Sequence, residues 1–177
     1  MPRLTTDTRA QAQRVAAELF ATRGYEQTSL SEIAGRLGIS KAALYYHFRS
    51  KGDLLRSLVE PFVTDIEALS ADLPAEPRAT LEAFFDLCYR HRAILLGIVR
   101  DVAVLNELKI VDWIIAWRTR IDVALAGPTT ADRVRAVVAL GGLQDTLILF
   151  ADDPELATTI RAEAVDAALR ALGVPPA

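Results

Sequence analysis

Apolar residues recur along this chain at the three-and-four spacing of one helix face almost from end to end, and no sustained period-two alternation bounded by hairpin turns interrupts them. Ala12, Val15, Ala16, Leu19 and Phe20 form the first stripe, predicting a helix from about Thr8 to Arg23 that Gly24 ends. Leu30, Ile33, Ala34 and Leu37 make the next face, on a short helix through Arg36. Thr28 or Ser29 can cap it, with Glu32 placed to answer the cap. Gly38 then permits a sharp turn, and Ser40 caps a second short helix, Lys41 to Phe48. Ser50 caps a fourth helix carrying Leu54, Leu55, Leu58, Val59 and Phe62, which Pro61 is expected to kink or shorten. Beyond Pro74 the pattern predicts helices at about Arg78 to His91, Ala93 to Leu105, Leu108 to Ala126, Ala131 to Phe150 and Pro154 to Leu172. The fold class is therefore all-α, with about nine helices.

Composition narrows the setting. With 51% hydrophobic and 24% charged residues in 177, the chain can bury a full core. Its longest apolar runs, such as Ala93 to Val99 and Ala136 to Leu143, fall far short of the ~18 to 20 residues that cross a bilayer. The first ten residues hold no apolar export segment, so a soluble, cytoplasmic protein with no membrane partner is expected. One cysteine cannot form an intrachain disulfide, and two histidines far apart make no zinc set, so neither a metal nor a cofactor is expected. The net charge of -3 hides a separation: residues 1–56 sum to +4 and residues 57–177 to -7. A basic head on an acidic body suggests a polyanionic partner for the head.

The strongest signal lies in that head. Ser29 to Phe48 reads as helix, glycine turn, helix, the helix-turn-helix arrangement. Leu30, Ile33, Ala34, Leu37, Ile39, Leu44 and Phe48 are the expected packing positions against the first helix. The opposite face of the second short helix carries Lys41, Ala42, Ala43, Tyr45, Tyr46 and His47. Small side chains there let a backbone approach base edges, while the ammonium and phenols can reach bases or phosphates. A plainer reading has either tyrosine packed half-buried, His47 closing its helix, and Lys51 simply solvated.

The run SLSEIAGRLGISKAALYYHFRSKGDLL, preceded by AAELFATRGYEQT, strongly resembles the N-terminal DNA-binding domain of the TetR family of transcriptional repressors. The match covers about Arg14 to Leu55. Carried over position by position, the resemblance implies that Thr28 and Ser29 hold a phosphate at a helix N-terminus. It implies that Ser40, Lys41, Ala42 and Ala43 lead the recognition helix into the major groove, and that Tyr45, Tyr46 and His47 touch bases or the sugar-phosphate strand. Lys51 becomes a phosphate contact, and Leu44 and Phe48 become packing positions. Ala42 replaces the glycine common at its place in the family, adding a methyl group near the DNA. The division implied is a DNA-binding domain over 1–56 and an effector-binding and dimerisation domain over 57–177.

The body offers its own hints. The segment from Ala131 to Phe150 is apolar nearly all round, with Val134, Val137, Val138, Gly141 and Ile148 on one side and Leu140, Leu143 and Leu147 on another. It needs cover on two faces. Val138, Gly141, Gly142 and Ile148, with Ile160, Ala164 and Ala168 on the last helix, are the candidate homodimer interface; burial within the protomer is the alternative. Phe84, Phe85, Cys88, Tyr89, Trp113 and Trp117 are the candidate wall of a pocket for a small hydrophobic or aromatic effector, or else plain core. Arg90, Arg92 and Arg100 are read as solvated partners of Asp86 and Asp101. No serine-histidine-aspartate set, phosphate loop or metal cluster suggests an enzyme. The expected function is a repressor that binds a palindromic operator in double-stranded DNA as a homodimer and is released by its effector. The alternatives are an all-α enzyme whose acidic residues work in the aromatic cavity and a DNA-binding protein without an effector.

Overall fold

Local capping chemistry decides where most of the helices begin and end. The structure, a computed structural model, describes residues 4–108 and 111–175. The helices are α1 (Leu4–Arg23), α2 (Leu30–Leu37), α3 (Lys41–His47), α4 (Lys51–Ala71), α5 (Pro77–Arg90), α6 (Arg92–Arg100), α7 (Val102–Leu108), α8 (Val111–Ala126), α9 (Thr130–Leu149) and α10 (Arg161–Leu172). A single π-helical turn, Leu156–Ile160, precedes α10. No strand occurs among the described residues, and none of their helices is long and apolar enough to cross a membrane.

Gly24 closes α1 and Gly38 closes α2 in left-handed backbone, at φ +87° and +66°, where a Cβ would be strained. Ser29 caps α2, its hydroxyl accepting from the Glu32 amide at 3.1 Å, and Ser40 caps α3 in the same way through the Ala43 amide. Glu32 does not answer the cap; its carboxylate pairs with Arg23 of α1 instead. At α9 a full capping box forms, with Thr129 and Asp132 serving each other's orphan amides. That start lies slightly before the one read from the apolar pattern.

Three expectations change. The helix predicted from Ala93 to Leu105 is broken at Asp101, whose side chain accepts from the Ala103 amide at 3.0 Å and starts α7. The helix predicted from Pro154 starts with the π-turn, so ten α-helices and a π-turn replace about nine. Pro61, moreover, does not shorten α4. Lacking an N–H, it leaves the Ser57 carbonyl without its helical donor. Gln13 of α1 supplies one, its amide donating to Ser57 O at 3.3 Å and to Ser57 Oγ at 3.1 Å.

The helices sort into two compact units, one from Met1–Pro61 with Ala93–Ile110 and one from Phe62–Arg92 with Val111–Ala177. In the first, Ala12, Ala16, Leu19 and Phe20 of α1 are buried with Ile33, Ala34, Leu44, Phe48, Leu54, Leu55 and Val59. In the second, α10 packs along α9 and against α5, and α8 lies against α9. Arg118 of α8 reaches α9 through Gln144 Oε1 at 3.1 Å and the Val137 carbonyl at 3.3 Å, while pairing with buried Asp122. Arg78–Asp166 and Arg161–Asp86 tie α5 to α10.

The repair at Pro61 is testable by a double-mutant cycle in urea. Gln13→Leu should cost about 1 kcal/mol, the usual worth of a partly buried hydrogen bond. It should cost clearly less when Pro61→Ala has restored a backbone donor.

Candidate nucleic-acid interface

The exposed side of α3 is built from beneath. Leu44 and Phe48 are fully buried, and Arg9 of α1 places its guanidinium 4.6 Å from the centre of the Phe48 ring while donating to the His47 carbonyl at 3.1 Å. α2 is fixed from the same side: Leu30, Ile33 and Ala34 are buried, whereas Leu37 and Ile39 are only half-buried. With these anchors set, Lys41, Ala42, Ala43, Tyr45 and Tyr46 all point to solvent. Tyr46 is 82% exposed and Tyr45 44%. The Lys41 ammonium stands 5.7 Å from the Tyr45 ring, one helical turn away, and the His47 ring meets Tyr46 edge-on at 5.3 Å. Ser40 is exposed but its hydroxyl is engaged in the cap.

Two of the sequence-derived candidates stand elsewhere. Thr28 is 1% exposed, and its hydroxyl donates to the Gly24 carbonyl at 3.0 Å, so it braces the α1–α2 turn; Ser29 beside it is exposed. Lys51 turns its ammonium inward, donating to the Tyr25 carbonyl at 2.8 Å and the Glu26 carbonyl at 3.3 Å. One cation was passed over. Arg49 is exposed on the α3–α4 turn, and its guanidinium has no partner among the described residues. The only signal for it in the sequence was its place between Phe48 and the Ser50 cap.

Charge pairing sharpens the surface. Arg23 is held by Glu32 and Arg36 by Glu18 at 2.7 Å, two ion pairs that join α1 to α2. Lys41 and Arg49 have no ion-pair partner among the described residues, and Lys41 stands over the Tyr45 ring. An outward helix face with small residues, aromatic hydroxyls and free cations can meet both base edges and phosphates.

In the second unit, Phe84, Phe85, Cys88 and Trp117 are buried and Tyr89 and Trp113 half-buried. Trp117 packs against Phe84 at 6.2 Å and Trp113 at 6.0 Å, and Phe85 stacks on Tyr89. The Trp113 indole donates to Glu67 at 2.8 Å. The Trp117 indole N–H is buried with no acceptor among the described residues. Burial pushes the Cys88 thiol up to about 12, which makes it inert.

The expected arginine pairs are corrected. Arg90 binds Asp65 at 2.8 Å, Arg92 lies over the Tyr89 ring, and Asp86 is taken by Arg161; the Arg100 side chain is outside the described residues. Asp65 also accepts from His91 at 2.8 Å, and the His91 and Arg90 bonds hold its carboxyl below the usual range.

Of the dimer candidates, Val138 is 59% exposed on α9 beside exposed Gly142 and half-buried Gly141. Ile148, Ile160 and Ala164 are half-buried, and Ala168 is buried within the protomer.

Leu44→Ala should cost about 2 to 5 kcal/mol in urea unfolding, as an emptied core site does. Tyr46→Ala, on the other side of the same two-turn helix, should stay within about 0.5 kcal/mol of the parent.

Residues 14–58 match the family model described as bacterial regulatory proteins, tetR family. Curated relatives include the transcriptional activator FasR of Mycolicibacterium smegmatis, 39% identical over 85 residues, which are 44% of this chain and 39% of that protein. The transcriptional repressor KstR2 of Rhodococcus jostii is 36% identical over 78 residues, 42% of this chain and 38% of that protein. The chain thus spans less than half the length of these curated relatives. Among solved structures, a transcriptional regulator from Aquifex aeolicus superposes with a TM-score of 0.72 at 23% identity, covering 90% of this chain and 96% of its own. Mycobacterium smegmatis AmtR does so with 0.70 at 24% identity, covering 100% and 92%. These likenesses establish the all-α fold over nearly the whole chain. Over residues 14–58 the chain carries a helix-turn-helix segment that matches the tetR family of bacterial regulatory proteins.

Proposed function

We propose that this protein is a transcriptional repressor that binds a palindromic operator as a homodimer and releases it when a small hydrophobic or aromatic effector occupies the second unit. The observation that carries the DNA-binding part is the outward face of α3, where Lys41, Ala42, Ala43, Tyr45 and Tyr46 are exposed while Leu44 and Phe48 anchor the helix. Lys41 and Arg49 supply phosphate contacts, and the tyrosines supply contacts to bases or backbone. Ser29 offers its exposed helix start to a phosphate, with Thr28 holding the turn behind it.

Homodimerisation is supported by the outer stripe of α9. Val134, Val137 and Val138 are all more than half exposed, and Leu149 at the far end is 78% exposed. An apolar stripe of that length on one helix needs a partner, and a second copy of the same stripe answers it. Two recognition helices ~34 to 36 Å apart then read half-sites on one face of the duplex. The effector part is supported by the ring cluster around Trp117, whose unpaired indole N–H would be served by an acceptor on an otherwise apolar ligand. The relatives include an activator and a repressor. Repression is proposed because a dimer seated on an operator occludes it without any further contact. The complex with triclosan, a small aromatic molecule, reported for SmeT is a property of that protein, at 24% identity over 97% of this chain and 96% of its own. It agrees with an aromatic effector here.

Selection from random duplexes should return a palindrome whose affinity falls steeply with salt. Tyr46→Ala should weaken it without loss of fold. Val138→Glu should give a monomer in light scattering and reduce operator affinity about 100-fold or more, since the second half-site is no longer tethered. Enrichment of no motif, or a V138E chain that stays dimeric with full affinity, refutes the reading.

A further inference from the structure

Tyr25, in the turn that leads from α1 to α2, is held through its amide, its carbonyl and its ring. Its amide donates to Asp101 Oδ2 at 2.5 Å, and its carbonyl accepts from Lys51 Nζ at 2.8 Å and from the Thr28 amide at 3.3 Å. Its ring meets Phe20 edge-on at 5.2 Å and lies under the Lys51 ammonium at 4.2 Å. Burial, then the charge and hydrogen bond of Glu107, push its hydroxyl up to about 12. Two of these partners, Asp101 and Glu107, come from the α6–α7 segment, far along the chain from the helix-turn-helix.

Both carboxylates lie close to backbone glycines. Gly24 is left-handed, and a Cβ there would stand 3.4 Å from Asp101 Oδ2. Gly52 is the second residue of α4, and a Cβ at that position would overlap Glu107 Oε1. Asp101 is itself locked by its second oxygen on the Ala103 amide. A carboxylate fixed in this way and aimed at one backbone N–H sets the position of that amide, not merely its satisfaction.

We infer that Asp101 is a positioning residue for the DNA-binding surface: by gripping the Tyr25 turn it sets the angle at which α2, and α3 after it, leave α1. The grip acts at the root of the helix-turn-helix. α2 begins five residues after Tyr25, and Thr28 closes the turn between them, its amide on the Tyr25 carbonyl and its Oγ1 on the Gly24 carbonyl. A small change of turn geometry is therefore carried to the exposed face of α3 with little slack to absorb it.

Amide hydrogen exchange on the full chain, without DNA, reads this directly. Asp101→Ala should raise exchange at the Tyr25 amide and across α2 and α3 about tenfold or more, as expected for loss of a hydrogen bond to a charged acceptor. The amides of α9 and α10 should be unchanged. Asp101→Asn keeps an acceptor and should restore most of the protection. Wild-type exchange in α2 and α3 of the alanine variant overturns the assignment, and so does a rise of equal size in α9 and α10. A second arm compares a selected palindromic duplex with a random one. Asp101→Ala should lose about tenfold on the palindrome and keep its affinity for the random duplex, whereas equal losses on both would contradict a positioning role. Only this arm rests on the DNA-binding reading. A parent chain that binds neither duplex refutes that reading, while the exchange arm still decides this one.

Discussion

A helix of seven residues cannot stand alone in water, because its two turns make too few internal hydrogen bonds to offset the nucleation cost. α3 exists because Leu44 and Phe48 are seated in the core of the first unit and Ser40 meets its first free amides. Everything proposed about recognition depends on that one-sided anchorage. Since all the stabilising contacts lie beneath, the outer side chains are free of structural duty, and Tyr46 can stand almost wholly in solvent. The same constraint explains why Arg9 and the α1–α2 ion pairs matter. Arg9 braces the underside of α3, the ion pairs tie α1 to α2, and Lys41 and Arg49 carry no ion pair among the described residues.

Elsewhere the fold tolerates local irregularities by answering them from another element. Pro61 removes a hydrogen bond from the middle of α4, and the freed Ser57 carbonyl is taken up by Gln13 of α1. Asp101 interrupts a helical pattern, and its carboxylate both starts α7 and holds the Tyr25 amide. In each case a break that looks like a weakness along the chain becomes a point of attachment between helices. The Trp117 indole is different: it is a buried donor with no such answer.

The apolar stripes, the glycine stops at 24 and 38 and the serine caps at 40 and 50 were all readable from the chain, as was the division of α3 into an anchored and an open side. Between Thr28 and Ser29 the sequence left the cap open, and the structure assigns it to Ser29 because Thr28 turns inward. The inward turn of Lys51, the pairing of Arg90 with Asp65 rather than Asp86, and the unbroken run of α4 through Pro61 were not readable. Each of these depends on which helices become neighbours.

The sequence by itself determined what is settled within four residues of each position: helical periodicity, caps, stops and the amphipathic sides of the short helices. These follow from hydrogen bonds and side-chain spacing that operate inside a single turn. Only the tertiary structure decided which charges are paired, which polar side chains face inward and which distant segment supports the recognition helix. Those outcomes join residues such as Tyr25 and Asp101, 76 positions apart, and no local pattern encodes the meeting of two such groups.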